Sequence, residues 1–295
     1  MRTQPVSTGP FVSVIVPVYN DADRLLLCLD ALEKQTYPGD RYEVVVVDNG
    51  SAPPVGSLTE VFPHCLVAFE ARPGSYSARN RGIEVSRGEV LGFTDSDCVP
   101  GERWIEEGVS GLQDADLVGG RIDVLPAQRA APTAAELYDV LFGFRQELNV
   151  EIGFSPTANL FTRRSVMDAV GTFNGGLKSG GDHEWCSRAL AAGYQLAYRE
   201  GATVVHPARS SLREISQRAA RFAGGTFDKS RANRRRLFRE RLRVLLRMKP
   251  PLRVILSREP RRLESKLKVI GVAYLANLAY TVEWVRLELG AASRR

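Results

Sequence analysis

Apolar, β-branched runs alternate with helical periodicity through the first part of this 295-residue chain, and few folds accept that order. Phe11 to Asn20 reads as a strand breaking into a turn. Asp21 to Gln35 places Leu25, Leu26, Leu29 and Leu32 on one helical side. Tyr42 to Val47 is a second strand, Cys65 to Phe69 a weaker third, Ser75 to Ser86 a helix, and Glu89 to Phe93 a further strand. This β-α-β-β-α-β order requires a mainly parallel sheet covered by helices. Ligands of such open sheets sit beyond the carboxyl ends of the strands. Those ends carry Tyr19 and Asn20, then Asp48, then Thr94-Asp95-Ser96-Asp97.

Asp95 and Asp97 stand one residue apart at the end of a buried strand, where alternation would aim both carboxylates the same way. Like charges held that close repel unless a cation lies between them. Carboxylate oxygens suit Mg²⁺ or Mn²⁺, ions that grip diphosphates. An Asp-x-Asp pair alone is also a common polar loop; its company at the other strand ends gives it weight.

Hydrophobic residues make up 44% of the chain, enough for one sizeable domain with an appendage. Cys28, Cys65, Cys98 and Cys186 lack metal-type spacing and read as reduced cytosolic thiols. Three histidines exclude a histidine-rich centre. Met1 to Pro10 is polar and has no apolar segment of the signal-peptide kind, so the expectation is a cytoplasmic protein. No Gly-x-Gly-x-x-Gly follows a strand, which argues against a dehydrogenase. Residues 209–268 carry 20 Lys/Arg against 5 Asp/Glu, whereas residues 1–208 carry 17 against 27. An acidic body therefore joins a basic tail, densest at Arg234-Arg235-Arg236, Arg239, Arg241 and Arg243. The tail lacks interleaved aromatics and any reader motif, so nucleic acid is not the expected partner. An anionic membrane surface and a plainly solvated helical face both remain.

Three blocks resemble the family 2 glycosyltransferases. The first is Val14-Ile15-Val16-Pro17-Val18-Tyr19-Asn20 with Val45-Val46-Val47-Asp48-Asn49-Gly50-Ser51. The second is Ala78-Arg79-Asn80-Arg81-Gly82-Ile83 running through Gly88 to Asp95-Ser96-Asp97. The third is Asn159-Leu160-Phe161, Gly171-Thr172-Phe173-Asn174, Gly180-Gly181-Asp182-His183-Glu184-Trp185-Cys186-Ser187-Arg188 and Gly193-Tyr194. The resemblance covers about residues 11–207. It implies a GT-A fold: an α/β, mostly parallel mixed sheet flanked by helices. It also implies inverting transfer of a sugar from a nucleotide diphosphate sugar, UDP-type by expectation, to an acceptor hydroxyl. A catalytic domain over 1–208 would split near residue 100 into donor and acceptor halves, with a basic helical appendage over 209–295. Two departures stand out: Asn49 follows Asp48 where the family often has a second acid, and Gly181 precedes Asp182 where it commonly has Glu.

Carried over residue by residue, the resemblance gives Asp48 a nucleobase contact, with Tyr19 flanking the base, Pro17 shaping the turn and Asn20 beside them. Arg79 reaches the base or phosphates, or else forms a surface ion pair. Asp97 is the metal ligand, Asp95 contacts ribose or the metal shell, and His206, after the strand Ala202 to Val205, completes the shell or is structural. Asp182 is the expected general base, because an attacking hydroxyl must lose its proton as the bond forms. Its other reading is a plain helix N-cap. Glu184 is the alternative base, and Asn159 and Trp185 are acceptor-side candidates, Trp185 fitting the core equally well. A sugar nucleotidyltransferase is a rival reading, but its Gly-rich basic loop is missing after the first strand, where Val18-Tyr19-Asn20-Asp21 stands. A non-catalytic nucleotide-sugar-binding or scaffold protein is the other rival, against which Asp95, Asp97 and Asp182 argue.

In the tail, Leu212 to Met248 reads as a helix interrupted at Gly224-Gly225 and ended by Pro250-Pro251. Leu263 to Leu289 reads as another, with Leu267, Ile270, Tyr274, Leu278 and Val285 at helical spacing. Its apolar run Val269 to Val282 falls short of the ~20 residues that span a bilayer. It suits an in-plane helix on the inner face of the cell membrane, consistent with a lipid-linked glycan or polysaccharide acceptor. A helix packed on the body, or on a second subunit of a homodimer, is the rival.

Overall fold

The computed structural model describes residues 9–59, 61–229 and 262–292, together with positions 238, 239, 242, 254 and 256. The expected order of elements is present: β1 (Val12–Val18), α1 (Ala22–Glu33), β2 (Tyr42–Asp48), β3 (Cys65–Phe69), α2 (Ser75–Val85) and β4 (Val90–Thr94). Then follow β5 (Val99–Pro100), α3 (Trp104–Gly111), β6 (Leu117–Leu125), α4 (Ala134–Phe142), α5 (Gln146–Glu151) and β7 (Asn159–Arg163). The last described elements are α6 (Arg164–Val170), α7 (Gly181–Ala191), β8 (Leu196–Pro207), α8 (Leu212–Lys229) and a C-terminal helix α9 (Leu263–Glu288).

The eight strands form one sheet in the order β3-β2-β1-β4-β7-β6-β8-β5. The pairs β3/β2, β2/β1 and β1/β4 are parallel, whereas β4/β7, β7/β6 and β8/β5 are antiparallel. Chain order reverses across β1 and β4, and crevices beside such reversals hold ligands. Every residue of β1 is buried, which is why its sequence is a continuous apolar run rather than an alternating one. Pro17 is accommodated because pairing with β4 stops at Ile15↔Phe93, and its missing N–H costs no ladder bond on that side.

Two compact units divide the chain. The first is Met1–Asp123, Arg145–Gly176 and Gly181–His206 and carries nearly all of the sheet. Its core includes Trp104, Trp185, Phe93 and Phe161, all fully buried.

The second unit is Val124–Phe144, Leu177–Gly180 and Pro207–Arg295, with helices α4, α8 and α9. Thr133 and Glu136 form a reciprocal capping box that starts α4. α8 runs unbroken through Gly224-Gly225, where the sequence predicts an interruption. The glycines serve close approach instead: a Cβ at position 225 would lie 2.6 Å from the Ser179 carbonyl oxygen. Val272, Ala276, Tyr280, Trp284 and Leu287 of α9 pack on Ile215, Ala219, Ala223 and Phe227 of α8. The stripe that the sequence picked out proves to be the outer one, with Leu267, Leu278 and Val285 exposed and Ile270 and Tyr274 half-buried. A helix apolar on most sides does not reveal its packed face, and alanines at 273 and 276 permit the tighter contact. No described helix is long and apolar enough to cross a membrane. The expected helix from residue 230 to Met248, its end at Pro250-Pro251, and Arg234-Arg235-Arg236, Arg241 and Arg243 lie outside the described residues, apart from positions 238, 239 and 242.

Candidate active site

β4 ends at Thr94, so Asp95-Ser96-Asp97 is a turn rather than strand, closed by the Cys98 N–H donating to the Asp95 carbonyl at 3.0 Å. Strand alternation therefore does not set the two carboxylates, and they take different partners. Asp97 Oδ2 lies 3.4 Å from His206 Nε2 and 3.8 Å from Arg24 Nη1. Asp95 bonds Arg79.

Asp97, Cys98 and His206 bring a carboxylate oxygen, a thiol and an imidazole nitrogen within 4.8 Å of one another. β8 delivers His206 to this point; its partner strand β5 begins two residues after Asp97. Burial raises the Asp97 carboxyl above its ordinary range, His206 opposes that rise, and Asp95 reinforces it. A half-buried carboxylate in this condition is stabilised by an added cation. Burial also pushes the Cys98 thiol well up and keeps it protonated, so oxygen and nitrogen are the ready donors.

From Asp95 a continuous chain of side chains leads to Asp182. The almost wholly buried Arg79 donates to Asp95 Oδ1. Its guanidinium carbon lies 5.6 Å from the ring centre of Tyr76, one helical turn earlier on α2. The Tyr76 hydroxyl donates to Asp182 Oδ1 at 3.2 Å, and the His183 N–H donates to the same oxygen at 2.8 Å. Burial first, then the Asp182 charge, raises the Tyr76 phenol far above its usual range, so it remains a donor. The glycine at 181 has a steric reason: a Cβ there would lie 2.8 Å from the Tyr76 ring.

Phe173, from the motif Gly171-Thr172-Phe173-Asn174, holds these parts in register. Its ring centre is 5.4 Å from that of Phe93 on β4, 5.8 Å from Tyr76 on α2 and 5.5 Å from Trp185 on α7. Asn80 clamps its backbone, donating to the Phe173 carbonyl at 2.7 Å and accepting from its N–H at 3.0 Å. Removing so buried a ring opens a large cavity. Phe173→Ala is expected to cost roughly 3–5 kcal/mol of stability, read by urea unfolding; a loss near zero would show that the ring carries no such load.

At the end of β2, the two oxygens of buried Asp48 accept the N–H groups of Ser51 (2.8 Å) and Val55 (3.1 Å). Each carboxylate oxygen keeps further acceptor capacity. Asn20 adopts φ 51° and accepts from Ala52 N–H at 2.8 Å, tying the β1 turn to the β2 loop, while Tyr19 is 60% exposed. Asn49 explains one departure: it donates to the carbonyls of Glu70 and Arg72 and accepts from Gly74 N–H, pinning the approach to α2. A second acid could not donate those two bonds.

The acceptor-side candidates fall elsewhere. Asn159 is completely buried; it accepts from Trp104 Nε1 and donates to the carbonyls of Arg121 and Ala202. Trp185 is buried too and donates to the Gly171 carbonyl. Glu184 forms an ion pair with Arg188, whose guanidinium also grips the carbonyls of Val170 and Thr172. The sequence carries no signal for Tyr76 or Arg24, and Cys98, which it shows only as a thiol without metal-type spacing, stands beside Asp97 and His206. Tyr76 meets Asp182 across 106 positions and belongs to no polar motif.

The glycosyl transferase family 2 model matches residues 13–180. This chain belongs to glycosyl transferase family 2. The glycosyltransferase is 37% identical over 290 residues to Glycosyltransferase AglE of Haloferax volcanii, spanning 92% of this chain and 94% of that relative. It is 30% identical over 223 residues to Pre-mycofactocin glycosyltransferase of Mycobacterium tuberculosis, a match covering 72% of this chain and 46% of the relative. Among solved structures, a mannosyltransferase from Pyrobaculum calidifontis, in complex with GDP-Man and Mn²⁺, resembles it with a TM-score of 0.58 at 19% identity. That likeness covers 99% of this glycosyltransferase and 79% of the neighbour, and it is one of fold. The GT-A expectation holds.

Proposed function

We propose that this enzyme transfers a sugar, with inversion, from a nucleoside diphosphate sugar to an acceptor hydroxyl, with the aid of Mg²⁺ or Mn²⁺. The reading rests on the linked chain Asp95–Arg79–Tyr76–Asp182, which connects a strand-end carboxylate to a carboxylate on α7 through buried donors. The donor set at Asp97 fits a divalent ion: a half-buried carboxylate raised by desolvation, beside an imidazole. Asp97 and His206 would hold the ion, with Asp95 nearby. When bound, it supplies charge that offsets the departing diphosphate. The fold neighbour's GDP-Man and Mn²⁺ support both parts of the reading.

Asp182 takes the proton of the attacking hydroxyl as the bond to the anomeric carbon forms. Tyr76 is a positioning residue that aims this carboxylate. Arg79 is fixed by Asp95 and supplies positive charge on the donor side. Asp48, Tyr19, Asn20 and Pro17 frame the base. The test is release of nucleoside diphosphate from a panel of UDP- and GDP-sugars, with Mn²⁺ and with EDTA, and anomeric configuration read by NMR. Release that EDTA leaves untouched, or a retained anomer, overturns the reading.

Tyr76→Phe should lower kcat roughly tenfold, the loss of one hydrogen bond to a charged group, while KM for the donor stays unchanged. An unaltered kcat would remove Tyr76 from the mechanism.

The basic, outwardly apolar tail supports a peripheral membrane site and hence a lipid-linked glycan or polysaccharide acceptor. Leu278 and Val282 are exposed on α9, so Leu278→Asp with Val282→Asp should spare the fold. The full-length protein is expected to float with anionic vesicles at low salt, and the double variant to float less. Absence of flotation by the parent protein would favour a contact between two copies of the chain.

A further inference from the structure

In the second unit, α4, α8 and α9 bound a groove of about 430 Å³ that the transfer chemistry does not use. Its walls include Tyr138, Phe142, Phe222 and Tyr280, with Arg218 and Asn277 as polar members. We propose that this groove binds a lipid with a phosphate headgroup, its chain along the aromatic walls and its phosphate at Arg218.

Charge is the first support. Asp139 is fully buried and holds two guanidiniums, accepting from Arg209 Nη1 and Arg218 Nη1 at 3.0–3.1 Å. One carboxylate neutralises one of them, so the cluster retains a positive charge with little access to water; the Arg218 side chain is 13% exposed. Burial, and then Arg209, pull the Arg218 pKa down to about 10; Asp139 acts the other way, and Arg221 adds to the repulsion. A desolvated cation in excess is relieved by an arriving anion. The guanidinium fork matches phosphate oxygens well.

Shape is the second. The volume lies within the ~300–1,000 Å³ of ligand pockets, and the lining mixes polar groups with Ile215, Ala219, Ala276 and the aromatic rings, which suits a molecule with a polar head and an apolar chain. Arg218 lies 5.0 Å from the Phe222 ring centre, so the cation sits at an aromatic wall. Phe222, on the groove wall, remains 49% exposed. A small soluble anion would leave that surface wet, whereas an alkyl chain covers it.

The proposal does not rest on the transfer reading, and its test contains neither donor nor metal. Calorimetry on the full-length protein in EDTA would compare decyl phosphate, decyl maltoside and inorganic phosphate, each below micelle formation. Decyl phosphate is expected to bind at least ~10-fold more tightly than either partial probe. Asn277→Asp sets a negative charge in the groove; the bond it loses, from Asn277 Nδ2 to the Ala273 carbonyl, lies within its own helix, and native circular dichroism is required for the result to count. That variant should lose ~10-fold or more for decyl phosphate and little for decyl maltoside. Phe222→Ser, at a half-exposed position, should weaken both chain-bearing probes. Equal binding of decyl phosphate and decyl maltoside overturns the headgroup assignment. Inorganic phosphate binding as tightly as decyl phosphate overturns the lipid. Parental affinity in both variants, with native circular dichroism, overturns the site.

Discussion

Asp97→Asn is expected to abolish the gain in nucleoside diphosphate binding that Mn²⁺ confers. Outer-shell partners of a metal are typically worth ~10–100-fold in affinity, and a direct ligand should cost at least that much. The fold should not suffer. The Asp97 carboxyl is raised by burial above the ordinary 3.8. Between 3.8 and its raised value the folded chain binds more protons than the unfolded one, so metal-free stability falls as pH rises through that window. Asparagine mimics the neutral form, and the metal-free variant should melt no lower than the parent at neutral pH. Thermal shifts with GDP and UDP, with and without Mn²⁺, give both answers together. A Mn²⁺-dependent shift of parental size in the variant would remove Asp97 from the metal site.

Asp182→Asn should keep donor binding and lower turnover by ~10²–10⁴, the usual worth of a positioned general base. The amide can still accept from Tyr76 and from the His183 N–H, so the local geometry is kept while the proton acceptor is lost. Glu184→Gln is the control. Glu184 spends its charge on Arg188, which ties α7 to residues 170–172. Its loss should lower stability more than kcat. An inactive Glu184→Gln beside an active Asp182→Asn would reverse the assignment.

The stretch from β1 to β4 was legible in the sequence because buried parallel strands read as unbroken β-branched runs, and their polar ends stand out against them. Asp48, Asp95 and Asp97 are visible for that reason. Less legible was what the carboxylates do once the chain turns. Asp95 and Asp97 take different partners, and β4 stops just before them, a boundary that periodicity does not fix. Tyr76 was hidden because its polar partner lies on another helix. Gly224-Gly225 misled because glycine marks both breaks and close contacts, and only the position of Ser179 decides between them. On α9 the apolar residues surround the helix, so the exposed stripe was as conspicuous as the packed one.

Phe173 touches the strand that precedes Asp95, the helix that bears Arg79 and the helix that bears Asp182. Natural variation in this enzyme therefore meets a constraint of epistasis. A new side chain at any of these three contacts changes which residues the other two will tolerate. Change without that burden is open mainly on the outer face of α7, at exposed His183 and Ser187, while Trp185, Cys186 and Ala189 face inward. Substitutions there leave the Phe173 ring and its three contacts untouched.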